Sequence, residues 1–507
     1  MTIVVPVKHR NLDLWLILLL AAALRLWSLD IKEAHFDEGI NGWFSDKLKE
    51  RGCFAYDPTN YHGPWHFYTV FLSQSLLGRN IWALRLPVIV ASLLCIPALF
   101  LFARWFGRNA VRWAALAFAV SPACVFYGRY SIHEPWFVLF CMIFTWGAIA
   151  LWLDRDKAGL WAAAAGLAGM ILNKETYIIH AGSLALAAGV FALWNRVSPL
   201  RPPPERATAR TWRRKDALLA AGVMVFLLVF FYSGNFFNFK GVGDMFRSLV
   251  AWTETGASAN GHDKPAFELL PFVNYYWLAL LARYEWPALA GLIWSVRYAW
   301  PGPAVPRLLS IYAGGVLLAY SVVPYKTPWC IISILWPWFL FFGAAIEAAG
   351  RLWARAIGVL LLAVSLGMAL RLNFRQYEND AEPYVYVQTY NSLRTLTDPL
   401  LEAARRDPRF YRVTGALCCD YYPLPWSLGD FTNLGWHGKP DPANGKNLPA
   451  SFNGHDFVVV ETKDAATVRA KLPADFVERR FKFRSGMEEC TVFFSPRILS
   501  QSWDDTP

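Results

Sequence analysis

Charge is what this 507-residue chain has least of: Asp, Glu, Lys and Arg make up 17% of it, against about 25% in an ordinary soluble domain. With 55% hydrophobic residues, 25 Trp and 36 Phe, that scarcity excludes a soluble globular protein and makes a membrane the natural solvent. An internal repeat is also missing, and the apolar runs are largely uncharged in their middles. Both features disfavour a transporter or flippase, which keeps ionisable groups near the bilayer midplane, often in repeated halves. No small-residue cleavage motif follows the first apolar run, so that run is expected as a span and not as a removed leader. The eight cysteines make no obvious framework. Cys95, Cys124, Cys141 and Cys330 lie in or near apolar runs and read as small core residues. Cys418, Cys419 and Cys490 lie in a polar tail, where either of the first two could bridge to Cys490 or all could remain thiols.

What the chain does have is a series of apolar runs, at 12–29, 81–103, 111–127, 135–153, 158–172, 176–194, 217–236, 271–296, 307–323, 329–349 and 355–371. They predict a polytopic α-helical membrane protein with about eleven spans, several of them short for a slab that needs about 20 helical residues. A net charge of +11 would suit nucleic acid if it were massed on one surface. Here the cations fall in short segments between the runs: Lys8 and Arg10, Arg104 to Arg112, Arg155 and Lys157, Arg201 to Arg214, Arg297 and Arg307, Arg351 and Arg355. With eleven spans these segments share one side, which the positive-inside rule makes the cytoplasm. A nucleic-acid partner is therefore not expected.

The same parity places 30–80, 128–134, 172–176, 236–270, 324–328 and the tail outside, and every histidine except His9 falls on or near that face. Histidine is the common neutral-pH proton carrier and metal ligand, so reactive chemistry is expected on that face. Asp37-Glu38 comes first: adjacent carboxylates just past a span are costly unless solvated, paired or catalytic. In Tyr61-His62-Gly63-Pro64-Trp65-His66, Pro64 is placed to start a helix, and His62 and His66 would share a face if both were helical. Arg129 to Glu134, with His133, stands at the entrance to the fourth span, and Lys174-Glu175 lies between two runs. A glycine-containing loop carries His262, Asp263 and Lys264, and Tyr325-Lys326 sits late in the chain. Backbone amides and lysines of this kind suit a phosphate. The tail, 372–507, has ordinary polarity. A helix over 386–406, strands near 412–419, 456–461, 476–483 and 490–494, and a helix over 465–472 make it a small α/β domain.

In this order the clusters resemble the GT-C glycosyltransferases, in the protein O-mannosyltransferase and aminoarabinose-transferase group. The stretch Gly261-His262-Asp263-Lys264-Pro265 is similar to a prokaryotic subfamily labelled flippase-activity-associated. The resemblance covers about residues 12–350 and departs at His62-Gly63-Pro64, where relatives often carry an acidic or basic residue before proline. It implies a GT-C membrane domain over 1–371, an extracytoplasmic α/β domain over 372–507, and a polyprenyl-phosphate-linked sugar donor. It also implies inverting transfer of a hexose or pentose to a lipid, glycan or protein acceptor outside the cytoplasm, in the inner membrane and among its lipids. Asp37, with Glu38, matches the family's first-loop acid, and Lys326 its late lysine near the donor phosphate. Arg129, Lys174 and Lys264 are the further expected phosphate contacts, and Tyr61, His133, Glu134 and Tyr325 the expected pocket residues. A divalent metal held by His62 and His262 is an expectation beside these. The rival expectations are a lipid-linked sugar flippase and an envelope scaffold.

Overall fold

The computed structural model describes residues 12–197, 211–270, 273–299, 302–439, 449 and 451–503. The expected cytoplasmic cations Lys8, Arg10, Arg201, Arg206 and Arg210, and His9, lie outside the described residues. The chain divides into two compact units: Met1–Leu29 with Leu48–Leu76 and Arg85–Gln376, and Asp30–Lys47 with Leu77–Leu84 and Tyr377–Pro507.

The first unit is helical and is that of a membrane protein. Among the described residues seven helices are long and apolar enough to span a bilayer: Ile81–Phe106, Glu134–Asp154, Tyr177–Trp194, Arg214–Tyr232, Ala304–Val322, Pro328–Ala349 and Leu352–Phe374. The remaining expected runs form shorter helices, and two of them are broken. The run at 111–127 divides at Ser121-Pro122, where Ser121 caps a new helix by accepting the Cys124 amide and Pro122, which lacks the N–H a continuing helix would use, stands at its first position. The run at 271–296 divides at Glu285, between helices Tyr276–Tyr284 and Trp286–Ala299. The two breaks meet: the fully buried Glu285 accepts hydrogen bonds from Ser121 Oγ (2.7 Å) and the Ala123 amide (2.8 Å). A carboxylate is thus placed on the exposed amides of a helix start, where negative charge is favoured. Helices Glu134–Asp154 and Lys157–Asn173 form an antiparallel hairpin, which brings the start of the first beside the end of the second.

The second unit is built on a five-stranded sheet. After a small hairpin in the first unit (β1, Glu268–Leu270; β2, Val273–Asn274) come β3 Thr414–Cys418, β4 Asn433–Trp436, β5 Phe457–Glu461, β6 Val477–Lys482 and β7 Glu489–Phe494. The order is β4-β3-β5-β7-β6, with β3 parallel to β4 and β5, and β7 antiparallel to β5 and β6. β5 is buried along its whole length, as a central strand covered on both faces must be. Leu393, Leu396 and Leu400 pack one face; Ala465 and Val468 pack the other. The helix expected from residue 386 begins at Arg394, because the chain before it runs extended and pairs at Thr389 with Arg484. β4 was not legible as a strand. All eight cysteines are free thiols. Cys418 packs into the opposite core from Cys490. Cys419, one residue past β3, lies on the Cys490 face with its side chain in hydrogen-bonding contact with Cys490, so of the two expected partners it is the one the fold brings to Cys490.

Candidate functional site

In the second unit the first loop is not an open loop but a helix, Phe36–Arg51, and its start carries the two carboxylates. Glu38 is fully buried and accepts the His35 amide (2.9 Å), while the Asp37 amide donates to His35 Nδ1 (3.1 Å). This is a capping box with histidine in the place usually held by Ser or Thr. The structure therefore separates the pair. Glu38 is occupied in holding the helix start, and the Asp37 side chain remains 32% exposed, with Oδ2 3.8 Å from His35 Nδ1. The helix lies on the tail through Gly39 and Gly42. A Cβ at Gly39 would meet Pro423 Cβ at 2.4 Å, and one at Gly42 would meet the Trp426 ring at 2.3 Å. Two glycines three apart on a helix were the sequence signal for this seat. Phe36 is held by the edge of Tyr422 (5.5 Å) and by the Arg484 guanidinium over its ring (4.3 Å).

In the first unit His62, His66, His133, Glu134, Lys174 and Glu175 come together from three parts of the chain. His62 precedes the helix Trp65–Leu77, so it does not share a helical face with His66. Their rings meet instead at His133, 4.5 Å and 4.7 Å away between centroids. His62 Nδ1 pairs with Glu175 Oε2 at 2.9 Å, and Lys174 pairs with Glu134 across the mouth of the helical hairpin. Asn173 Nδ2 donates to the His133 carbonyl (2.7 Å). Gly63 explains the placement of His62: a Cβ there would lie 2.2 Å from the Leu172 carbonyl oxygen, so only glycine lets this loop rest on the helix end. Burial first, then the neighbouring His62, His66 and Lys174, push His133 well below the ordinary histidine range. Burial raises the Glu175 carboxyl, but His62 and Lys174 together outweigh it and hold the pKa below the usual value. Tyr61 and Glu175 line a small cavity with Tyr177, Tyr232 and Ser248.

The late motif and the glycine-containing loop meet each other. The Lys326 amide donates to the His262 carbonyl (3.1 Å), and the Tyr325 and His262 rings lie 4.7 Å apart. Lys326 is buried, and its Nζ donates to the Ser321 carbonyl (3.1 Å) and to that of Val323, at the end of helix Ala304–Val322. Burial brings its pKa down to about 8, with Glu268 opposing the shift. Lys264 Nζ stands 5.9 Å over the Tyr276 ring, and burial lowers its pKa as well. Arg129 stands apart from both groups. Its guanidinium donates to the carbonyls of Leu24, Trp27 and Ser28 (3.0, 2.8 and 2.7 Å), which are end groups of the first helix, and it lies over the Phe374 ring. A cation there satisfies orphan carbonyls and the negative helix end.

His62 and His262 each sit among other partners, and among the described residues no three His, Cys, Asp or Glu side chains are grouped to hold a metal. Among the described residues, the donors around His62 and His262 do not make up a metal site. The contributions of His35, Glu285 and Gly63 were missed in the sequence, because each acts through a backbone group far away in the chain.

Residues 61–204 match the family model described as dolichyl-phosphate-mannose-protein mannosyltransferase. That stretch holds His62, Arg129, His133, Glu134 and Lys174, and not Asp37. Among solved structures, the chain is similar to ArnT from Cupriavidus metallidurans bound to undecaprenyl phosphate, with a TM-score of 0.63 and 15% identity over 96% of this chain and 99% of that one. It is similar also to the apo state of the same protein, at a TM-score of 0.60 and 15% identity over 97% and 99%. No curated protein sequence matches the chain. The resemblance to GT-C glycosyltransferases is borne out in the fold and in the 61–204 match.

Proposed function

We propose that this GT-C-fold membrane protein transfers a hexose or pentose from a polyprenyl-phosphate-linked donor to a lipid, glycan or protein acceptor. The reaction takes place on the extracytoplasmic face of the inner membrane, with the N-terminus in the cytoplasm and residues 372–507 outside. The observation that carries this reading is Asp37: a part-exposed carboxylate on a capped helix start, in a chain with the ArnT fold. The acceptor hydroxyl attacks the anomeric carbon and gives its proton to the Asp37 carboxylate. The bond from that carbon to the phosphate oxygen breaks with inversion, and the polyprenyl phosphate leaves with the electron pair. Lys326 and Lys264 supply positive charge for the leaving phosphate. Tyr61, His133, Glu134 and Tyr325 are pocket residues. Lys174 and Arg129, engaged with Glu134 and with helix carbonyls, act on the pocket by holding its frame.

A lipid substrate is also supported by an apolar groove of about 580 Å³ beside Trp27, Gly367, Leu370 and Phe374, with Arg371 and Arg375 also in its lining. That polarity suits an acyl or prenyl chain with an anionic head. The test is the purified protein in detergent with undecaprenyl-phosphate hexose carrying a radiolabel. Labelled acceptor is expected with the wild type and not with Asp37→Asn. A fully active Asp37→Asn enzyme refutes the assignment, and lipid translocation in proteoliposomes without sugar transfer replaces it with a flippase.

A further inference from the structure

We infer that His35 is a positioning residue for the transfer step: it fixes Asp37 in place by tying the start of the first-loop helix to the Tyr386 carbonyl of the tail. This inference rests on the reading of Asp37 as the proton acceptor.

Three observations carry it. His35 is fully buried, and its two ring nitrogens are both used, Nδ1 toward the Asp37 amide (3.1 Å) and Nε2 toward the Tyr386 carbonyl (2.8 Å). The Asp37 group is a donor and the Tyr386 group an acceptor, so only one ring state satisfies both: bare Nδ1 and protonated Nε2. A protonated ring would set one N–H against another. The second observation is position. The atom that His35 holds is the backbone nitrogen of Asp37 itself, and the anchor is 351 residues further along the chain. The third is redundancy. Glu38 already closes the capping box from the other side. A histidine is therefore not needed to start this helix; Asn or Ser would do so at least as well. What the short capping residues cannot do is reach a second partner from the far end of the side chain. The imidazole is long enough to cap the helix and grip the tail at once.

This separates two roles by experiment. A plain N-cap ranks His35→Asn at or above His35→Gln, since Asn is the better cap. A tie ranks Gln above Asn, because the longer amide can accept from Asp37 and donate to Tyr386 together, and Asn cannot span both. The full-length variants, with His35→Ala and Asp37→Asn beside them, are assayed with undecaprenyl-phosphate hexose, and melting is followed in the same detergent. His35→Asn is expected to stay folded but to melt below the wild type, because the Tyr386 bond is lost, with an unchanged donor KM and a kcat lower by about a hundredfold, the effect of roughly 1 Å of misplacement. His35→Gln is expected to recover a substantial part of kcat. Asn equal to or better than Gln, or His35→Asn within twofold of wild type while Asp37→Asn is inactive, overturns the inference and leaves the role of Asp37 standing. An active Asp37→Asn overturns that role and this inference with it. If His35→Asn does not fold, the comparison of Gln with Ala decides in the same way: Gln no better than a folded Ala refutes the tie.

Discussion

Two adjacent carboxylates with opposite duties give the sharpest test of this structure. Glu38 is fully buried and its carboxylate accepts the buried His35 amide. Hydrogen bonds to charged groups contribute about 1.5–3 kcal/mol, and a donor left unsatisfied costs a similar amount. Glu38→Ala should therefore destabilise the protein by about 2–3 kcal/mol. Glu38→Gln keeps an oxygen in reach of the amide and should cost about 1 kcal/mol, the difference between a hydrogen bond to a charged group and a neutral one. Asp37 has a third of its side chain in solvent, and Asp37→Asn is isosteric, so its stability should stay within about 0.5 kcal/mol of wild type. Turnover should behave in reverse. Loss of a general base removes about 10²–10⁴-fold in rate, so Asp37→Asn should be nearly inactive, and Glu38→Gln should retain most of its turnover below its melting temperature. The assay pairs thermal unfolding in detergent with label transfer on the same preparation. If Glu38→Gln melts like wild type and is as inactive as Asp37→Asn, Glu38 takes part in the chemistry and the capping account is refuted.

Other consequences are as direct. Gly63→Ala places a methyl 2.2 Å from the Leu172 carbonyl oxygen; overpacking of this kind costs about 1–3 kcal/mol, and the melting temperature should fall even with His62 intact. Arg129→Gln removes donors from three carbonyls at the end of the first helix and should lower stability with donor KM unchanged; a raised KM at unchanged stability would return Arg129 to the phosphate. Removing either partner of the buried Lys174–Glu134 pair should cost about 3–5 kcal/mol, while Lys174→Met with Glu134→Gln should recover much of the loss; additive losses in the double variant would deny the pairing. Lys326, with its pKa brought down to about 8, is charged below that pH and neutral above it. Donor affinity should then weaken as pH rises through about 8, and this alkaline limb should be absent in Lys326→Met.

Much of the fold was legible in residue chemistry. The apolar runs show where the membrane helices lie, because only long apolar helices satisfy their backbone inside lipid. Alternating and helical periodicity showed the tail as α/β, with β5 and β7 within a residue of their expected limits. The strand Asn433–Trp436 was not legible: it is four residues long with a glycine inside, and only its partner β3 makes it a strand. The candidate residues were legible as types and not as partners. Nothing in Arg129 or Lys174 distinguishes a phosphate contact from a helix cap or a buried ion pair until the Leu24, Trp27 and Ser28 carbonyls and Glu134 stand beside them.

The sequence by itself determined the solvent, the helical class and the presence of carboxylates, imidazoles and lysines at the ends of spans, because composition and periodicity are local properties. Only the tertiary structure decided how those groups are used. It made the first loop a helix that clusters with the tail, turned Glu38 inward and left Asp37 part-exposed, and joined His35 to Tyr386 across 351 residues. Those outcomes depend on which backbone donor faces which acceptor after folding, and no local pattern in the chain encodes that pairing.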